Sequence, residues 1–224
     1  DLGPEYGGDE NSKIGDEGTD NRYIEIWNLV FTEWNRMEDG HLEPLPKKNI
    51  DTGAGLERIA AMVQGKSNNF ETDLLFPLVE EAGRLTNSKY HESPEKDFSL
   101  KVITDHSRAV TFLIHDGVIP PNEGRGYVLR RILRRAVRHG RLLGQKELFL
   151  YKMVKKVVDQ FAIAYPDLTA NLENIQKIVK IEEEKFSNTL DQGIQLVNEQ
   201  IEMALQAGKS SLDGEITFKM YDTY

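Results

Sequence analysis

The residues best suited to chemistry form the run Asp51-Thr52-Gly53-Ala54-Gly55-Leu56-Glu57-Arg58, where two glycines lead from an extended stretch into a helical period. Glycine lets a backbone approach a ligand closely, and a helix N-terminus offers unpaired N–H groups and a partial positive charge. Arg58, one turn in, can add a two-point grip on a phosphate. The plainer alternative is a helix capped by Thr52 with Arg58 in solvent. A second candidate is the run Tyr23–Phe31, in which Glu25 and Asn28 interrupt apolar residues. Period-2 alternation puts Asn28 and Val30 on one face and Glu25 on the other. Both polar residues could instead be satisfied by backbone groups inside a sheet.

The third candidate is a basic helix. At 100° per residue, Val128, Leu129, Ile132, Leu133, Ala136 and Val137 fill one half, and Arg130, Arg131, Arg134, Arg135, Arg138 and Arg141 fill the other. Like charges at i,i+4 repel unless an anion relieves them, so the face points to the phosphates of a nucleic acid. An acidic protein partner, or burial of some arginines against acidic parts of the chain, is the alternative. The pairs Asp105-His106 and His115-Asp116 resemble metal ligands. Yet His106 falls on the apolar face of its helix and His115 near its end, so core and capping roles are expected and no metal is assigned.

These residues need elements to position them. Residues 1–20, with five glycines and seven acids, suggest a mobile surface loop. A strand over Tyr23–Phe31, a turn at Glu38–Gly40 and a second strand over His41–Ile50, interrupted by Pro44 and Pro46, predict an antiparallel hairpin. From Thr52 the period turns helical, and Gly65 is a plausible stop. Another helix is expected over about 73–85, and the polar stretch 86–97 is the expected domain boundary. Helices should then follow over 102–113, about 122–144, about 147–161 and about 169–206, the last roughly 55–60 Å long. Residues 216–224 are short and alternating. The expected class is α+β: the end of an antiparallel-sheet domain over 1–95, then a mostly helical domain over 96–224.

Composition narrows the partners. The total charge is −9, yet 121–150 holds eight basic residues and two acids, a net +6, which leaves −15 elsewhere. One basic element in an acidic body is where a partner should dock. The chain has no cysteine, which excludes disulfides and thiolate metal sites and fits a reducing cytoplasm. No apolar run approaches the ~20 residues of a membrane span. Both ends look cut, since the first residue is not Met and the last four carry no stop signal.

Four segments carry a family resemblance: EIWNLVF (25–31), LPKKNIDTGAGLERIAAMVQG (45–65), ITDHSRAVTFLIHDGVIPPNEGRGYVLRRILRRAVRHGRLLG (103–144) and FKMYDTY (218–224). In this order they resemble the alanyl-tRNA synthetases, a class II aminoacyl-tRNA synthetase family, and the likeness covers essentially everything after residue 20. It implies that 51–58 is the third class II motif, with Arg58 and Gly55 at the phosphates of ATP. Asp51 would hold the ammonium group of alanine, Gly53 would line the pocket, and Asn28 and Val30 would complete it. Glu25 would face ATP and its Mg2+, against the alternation above unless the strand bulges. Asp51 and Arg58 would be the catalytic pair.

The resemblance further implies that the helical half reads the acceptor stem of tRNA(Ala). Asn122 and Asp222 would contact its G·U pair, with Arg130, Arg131, Arg134, Arg135, Arg138 and Arg141 on the phosphate backbone. Asn122 could equally be the N-cap of the basic helix. The first two class II motifs are absent, as is the editing domain where zinc would be expected. The chain alone is therefore expected neither to activate alanine nor to charge tRNA. A free-standing helical RNA-binding or protein-interaction module is the alternative.

Overall fold

Aromatic and β-branched residues favour extended backbone, and they build a hairpin in the computed structural model, which describes residues 1–18, 21–120 and 123–223. Strand β1 (Trp27–Arg36) pairs antiparallel with β2 (Leu42–Ala54). Between them Met37 N–H donates to His41 O and Gly40, at φ 89°, closes the turn, a backbone shape glycine adopts without strain. The register jumps between Thr32↔Asn49 and Trp34↔Pro44, so 45–48, with Pro46, bulges out. Two expected limits move. The ladder begins at Trp27 rather than Tyr23, and β2 runs on to Ala54, so Asp51, Thr52 and Gly53 are strand residues.

Helix α1 (Leu56–Val63) follows directly and ends as expected, with Gly65 left-handed at φ 64° and Lys66 N–H returning to Ala61 O. The first residues run over the surface as expected, with a few contacts tying them down. Buried Arg22 gathers them, its guanidinium paired with Asp1 at 2.7 Å and donating to the Asp9 carbonyl, while Tyr23 Oη donates to Ser12 O. These parts form one compact unit, Asp1–Leu75.

The second unit, Phe76–Tyr224, is helical. It comprises α2 (Phe76–Thr86), α3 (Pro94–His115), α4 (Arg125–Leu142), α5 (Leu150–Phe161), α6 (Asp167–Gln206) and α7 (Gly214–Thr223). The units divide at Leu75/Phe76, about twenty residues before the expected 95/96. The reason is that α2 packs on α3 and α5. The polar stretch 86–97 instead starts a helix: Ser93 Oγ caps α3 by accepting from Lys96 N–H, with Pro94 in the first turn. Residues 216–224, read as alternating, lie largely in α7, whose start is set by Asp213 accepting from Glu215 N–H through its side chain and from Thr217 N–H through its carbonyl.

The helical core is Leu78, Val79, Leu100, Ile103, Leu133, Met153, Val157, Leu168 and Ile175, all fully buried. Of the apolar half of α4, Leu129, Leu133, Ala136 and Val137 are buried, but Val128 is exposed. An apolar stripe narrower than half the helix is enough to seat α4 on α3. Two adjacent residues of α6 do unusual polar work. Glu183, 1% exposed, accepts backbone N–H bonds from Phe149, Leu150 and Tyr151 at 2.7, 2.8 and 3.2 Å, and so caps α5 from another helix. Burial pushes its carboxyl above the usual range, against the pull of those N–H donors. Its neighbour Glu182 faces α4.

Gly140 of α4 sits against Phe149: a β-carbon there would fall inside the aromatic ring's van der Waals envelope. Phe149 is 2% exposed and has nowhere to retreat. Gly140→Ala should therefore destabilise the fold by about 1–3 kcal/mol despite alanine's better helix propensity. Thermal melts of the two proteins check this; an equal or higher midpoint for the variant would mean that α4 and Phe149 are not so closely packed.

Candidate functional site

The hairpin register decides which side chains meet. Asn28 pairs with Gly53 and Val30 with Asp51. Directly opposed residues share a face, and positions two apart return to it, so Asn28, Val30, Asp51 and Gly53 form one patch. The opposite face carries Trp27, Leu29, Phe31 and Ile50, all exposed. Thr52 belongs to that second face and accepts the Trp27 indole N–H. It is therefore not the cap of α1. The N-cap position is Gly55, which makes no side-chain cap to the first turn of α1. A β-carbon at Gly53 would meet no protein atom within 4 Å, so packing within the chain does not demand glycine there.

Glu25 lies before the first ladder residue, so strand alternation does not bind it. Its carboxylate reaches the Asn28 side, with Asn28 Nδ2 donating to Oε1 at 3.4 Å. Arg58 turns back from α1 to the same segment, Nη1 donating to Glu25 O at 2.5 Å. Gly55 N–H is committed to Ile26 O, and a β-carbon at Gly55 would press on the Arg58 stem at 3.2 Å. The glycine leaves that stem room to fold over. Glu25, Asn28 and Arg58 are thus linked through one another at the end of the hairpin where α1 begins.

The basic face of α4 is divided in two. Arg130 and Arg134 both donate through Nε to the same oxygen of buried Glu182, at 2.7 and 2.9 Å, and the Arg134 guanidinium also lies 5.1 Å over the Phe186 ring. Arg141 pairs with Asp191 at 3.1 Å. These acceptors and the stacking ring all belong to α6. So the expectation of six outward guanidinium groups is corrected: acidic residues of the chain's own long helix take three of them. Arg131, Arg135 and Arg138 remain exposed along one stripe. An open groove of about 410 Å3 lies beside them, lined by His106, Val128, Arg131, Ile132, Arg134 and Arg135.

His106 enters this groove from α3. Its Nδ1 lies 3.0 Å from Asp105 Oδ2, and that contact, first among several causes that include Arg108 and Arg135, holds the Asp105 carboxyl below the usual range. Sequence periodicity assigns His106 to the core. The apolar face of α3 does meet α4, but it does so beside the arginines, a placement that periodicity within one helix cannot show. His139 is the buried histidine, bonded through Nδ1 to Ser99 Oγ at 3.1 Å and depressed by desolvation and by Arg135, Arg138 and His106. His115 joins α3 to the start of α6 through Asp167 at 3.1 Å. Among the described residues no three His, Asp or Glu side chains converge as metal ligands. Gly124, not Asn122, occupies the N-cap of α4. Asn122 and the Asp222 side chain lie outside the described residues.

Residues 1–224 match the family described as tRNA synthetases class II (A). The chain belongs to the class II tRNA synthetase family. Relatives of this class II synthetase chain include the alanine–tRNA ligases of Fusobacterium nucleatum, 80% identical over all 224 residues, and of Clostridioides difficile and Natranaerobius thermophilus, each 51% identical over 225. The chain spans about a quarter of their length, 26%, 25% and 25% respectively. No helix among the described residues of the class II chain is long and apolar enough to cross a membrane.

The two sets of arginines should separate in a stability scan. Arg134→Ala removes a partner from a buried carboxylate and a stacking interaction, and should cost about 1–3 kcal/mol. Arg135→Ala and Arg138→Ala should stay within about 0.5 kcal/mol of the parent, as exposed substitutions do. Urea unfolding of the three variants checks this, and equal destabilisation at all three positions would contradict the division.

Proposed function

We propose that the chain is the part of an alanine–tRNA ligase that holds the amino acid and the ATP phosphates on its hairpin and grips tRNA(Ala) with α4. The observation that carries the reading is the register that gathers Asn28, Val30, Asp51 and Gly53 on one face, in a chain 80% identical to an alanine–tRNA ligase. In the activation step a carboxylate oxygen of alanine bonds to the α-phosphorus of ATP and pyrophosphate leaves. Asp51 would neutralise the alanine ammonium, Gly53 would leave room for the backbone-sized substrate, and Asn28 and Val30 would border the methyl group. Such a step is accelerated by positioning and charge neutralisation more than by proton transfer.

The glycine N-cap of α1, Gly55, places no capping side chain at the start of the helix, and with Arg58 in the first turn this supports phosphate binding there. Arg58 would exchange the Glu25 carbonyl for a phosphate oxygen. Mg2+ is commonly held by one or two carboxylates together with substrate phosphates, and Glu25 fits that role beside Asn28. The ion would neutralise phosphate charge. The activated alanyl group then passes to the hydroxyl at the tRNA 3′ end as AMP leaves. Arg131, Arg135 and Arg138 would hold the acceptor-stem phosphates, with Arg130, Arg134 and Arg141 braced behind them, and Asn122 and Asp222 would read the G·U pair. Phosphate contacts supply affinity and base contacts supply selectivity.

Titration of the chain with an acceptor minihelix of alanine tRNA, and with its G·U pair changed to G·C, tests this across a salt series. Tighter binding to the G·U form, weakening as salt rises, is expected. Equal binding would remove base reading from Asn122 and Asp222, and no binding to either form would overturn the tRNA role of this face.

A further inference from the structure

At the tip of the hairpin one histidine is held by two carboxylates. His41 Nδ1 lies 2.5 Å from Asp39 Oδ1, and its Nε2 lies 3.1 Å from Glu43 Oε1. An ionised carboxylate can only accept, so both ring nitrogens donate and the ring is an imidazolium. Asp39 Oδ1 also accepts the His41 backbone N–H, at 3.2 Å. One cation therefore ties the turn, through Asp39, to the second strand, through Glu43. Glu43 and then Asp39 hold the ring's proton above the ordinary histidine range, and His41 in return pulls the Asp39 carboxyl below its own. From β1, Arg36 brings a second cation, its Nη2 4.0 Å from where a β-carbon at Gly40 would sit. Glu38 adjoins Asp39 in the turn. Loss of the ring proton takes these five residues from a net −1 to −2. A neutral ring has one donor, so one of the two bridges goes with the proton.

We propose that the hairpin tip is a pH-operated flap: His41 as an imidazolium clasps Asp39 to Glu43 and keeps 34–44 ordered, and loss of its proton frees that segment as far as the bulge. The register jump after Thr32 is what confines the motion. Beyond it three pairs remain, Trp34↔Pro44, Asn35↔Glu43 and Arg36↔Leu42, and Pro44 has no N–H to donate. Inside it the ladder is longer, and the bulge is braced where Lys48 meets Glu33 at 3.2 Å. So short a hairpin is marginal by itself. An exposed ion pair adds little to global stability, but it can decide the order of three pairs. The contribution of His41 is complete below the ordinary histidine value near 6.5 and is lost as pH rises through the raised one. That of Asp39 is lost only in acid, as pH falls through its lowered value. The flap is thus closed at mildly acid pH and opens toward alkaline pH, whatever the other face of the hairpin binds.

An NMR titration of the full 224-residue chain across the histidine range, about pH 5 to 9, tests this. The His41 ring signals give its midpoint, and backbone 15N relaxation gives the local order of each segment. His41 should titrate above the same ring in an Asp39→Asn, Glu43→Gln double variant. With the parent midpoint, the order of 37–43 should fall and the Trp34 indole signal should move, while 28–31 and the Trp27 indole hold steady. His41→Arg keeps its charge and its donors at every pH, so its tip should stay ordered throughout. His41→Gln, always neutral, should show the loosened tip throughout. Equal His41 midpoints in the parent and the double variant would overturn the proposal, because no clasp would then exist. A tip whose order ignores the His41 titration would overturn it as well, as would a change that spreads equally into 28–31. The decisive titration is on the parent, so a variant that fails to fold does not shield the proposal.

Discussion

Two neighbouring carboxylates on α6 hold the helical unit together. Glu183 points to α5 and supplies the acceptor that three N-terminal N–H groups need, while Glu182 points to α4 and neutralises two arginines with one oxygen. Successive residues on a helix differ by about 100°, so an adjacent pair can serve two different neighbours. Each is buried, and a buried carboxylate is tolerated when its hydrogen-bonding capacity is met. The same helix reaches Arg141 through Asp191, further along its length. An arginine-rich helix can therefore sit on an acidic chain with less self-repulsion: Arg130, Arg134 and Arg141 are answered from behind. Arg131, Arg135 and Arg138 stay exposed.

The hairpin shows a comparable division of labour, between its two faces. One carries the polar patch of Asn28, Asp51 and Gly53, the other the exposed apolar row Trp27, Leu29, Phe31 and Ile50. A period of two makes such a split automatic once the register is set, and a slip by one residue would exchange the faces. The Thr52–Trp27 bond and the turn at Gly40 both help fix that register. Helix α1 then starts at Leu56 behind a glycine N-cap, so the polar face of the hairpin and the first turn of α1 lie consecutively on one stretch of chain.

Much of this was legible from residue pattern. The helix limits at Gly65, Phe161 and Gln206, the hairpin and its turn, and the common face of Asn28 and Val30 follow from local rules of period, capping and glycine geometry. What was not legible depends on partners far away in sequence. Nothing within 128–141 says that Glu182, far along the chain on α6, claims Arg130 and Arg134, or that His106 shares a groove with Arg131 and Arg135. The unit boundary moved for the same reason, because α2 has an ordinary amphipathic pattern and its allegiance to α3 and α5 is a tertiary fact. The alternating residues after 216 became a helix because Asp213 caps them, a local signal that alternation over so few residues masks.

The central claim is that α6 sorts the arginines of α4 into internal braces and exposed groups proposed to meet phosphates, and the salt dependence of RNA binding measures that sorting directly. Each phosphate that the protein ceases to neutralise should lower the slope of log affinity against log salt by about 0.7–0.9. Replacing Arg131, Arg135 and Arg138 with glutamine should reduce the slope by about two to three units. The same replacement of Arg130, Arg134 and Arg141, measured where that variant remains folded, should change it by well under one unit. A slope that falls equally for both sets, or more for the second, would contradict the account.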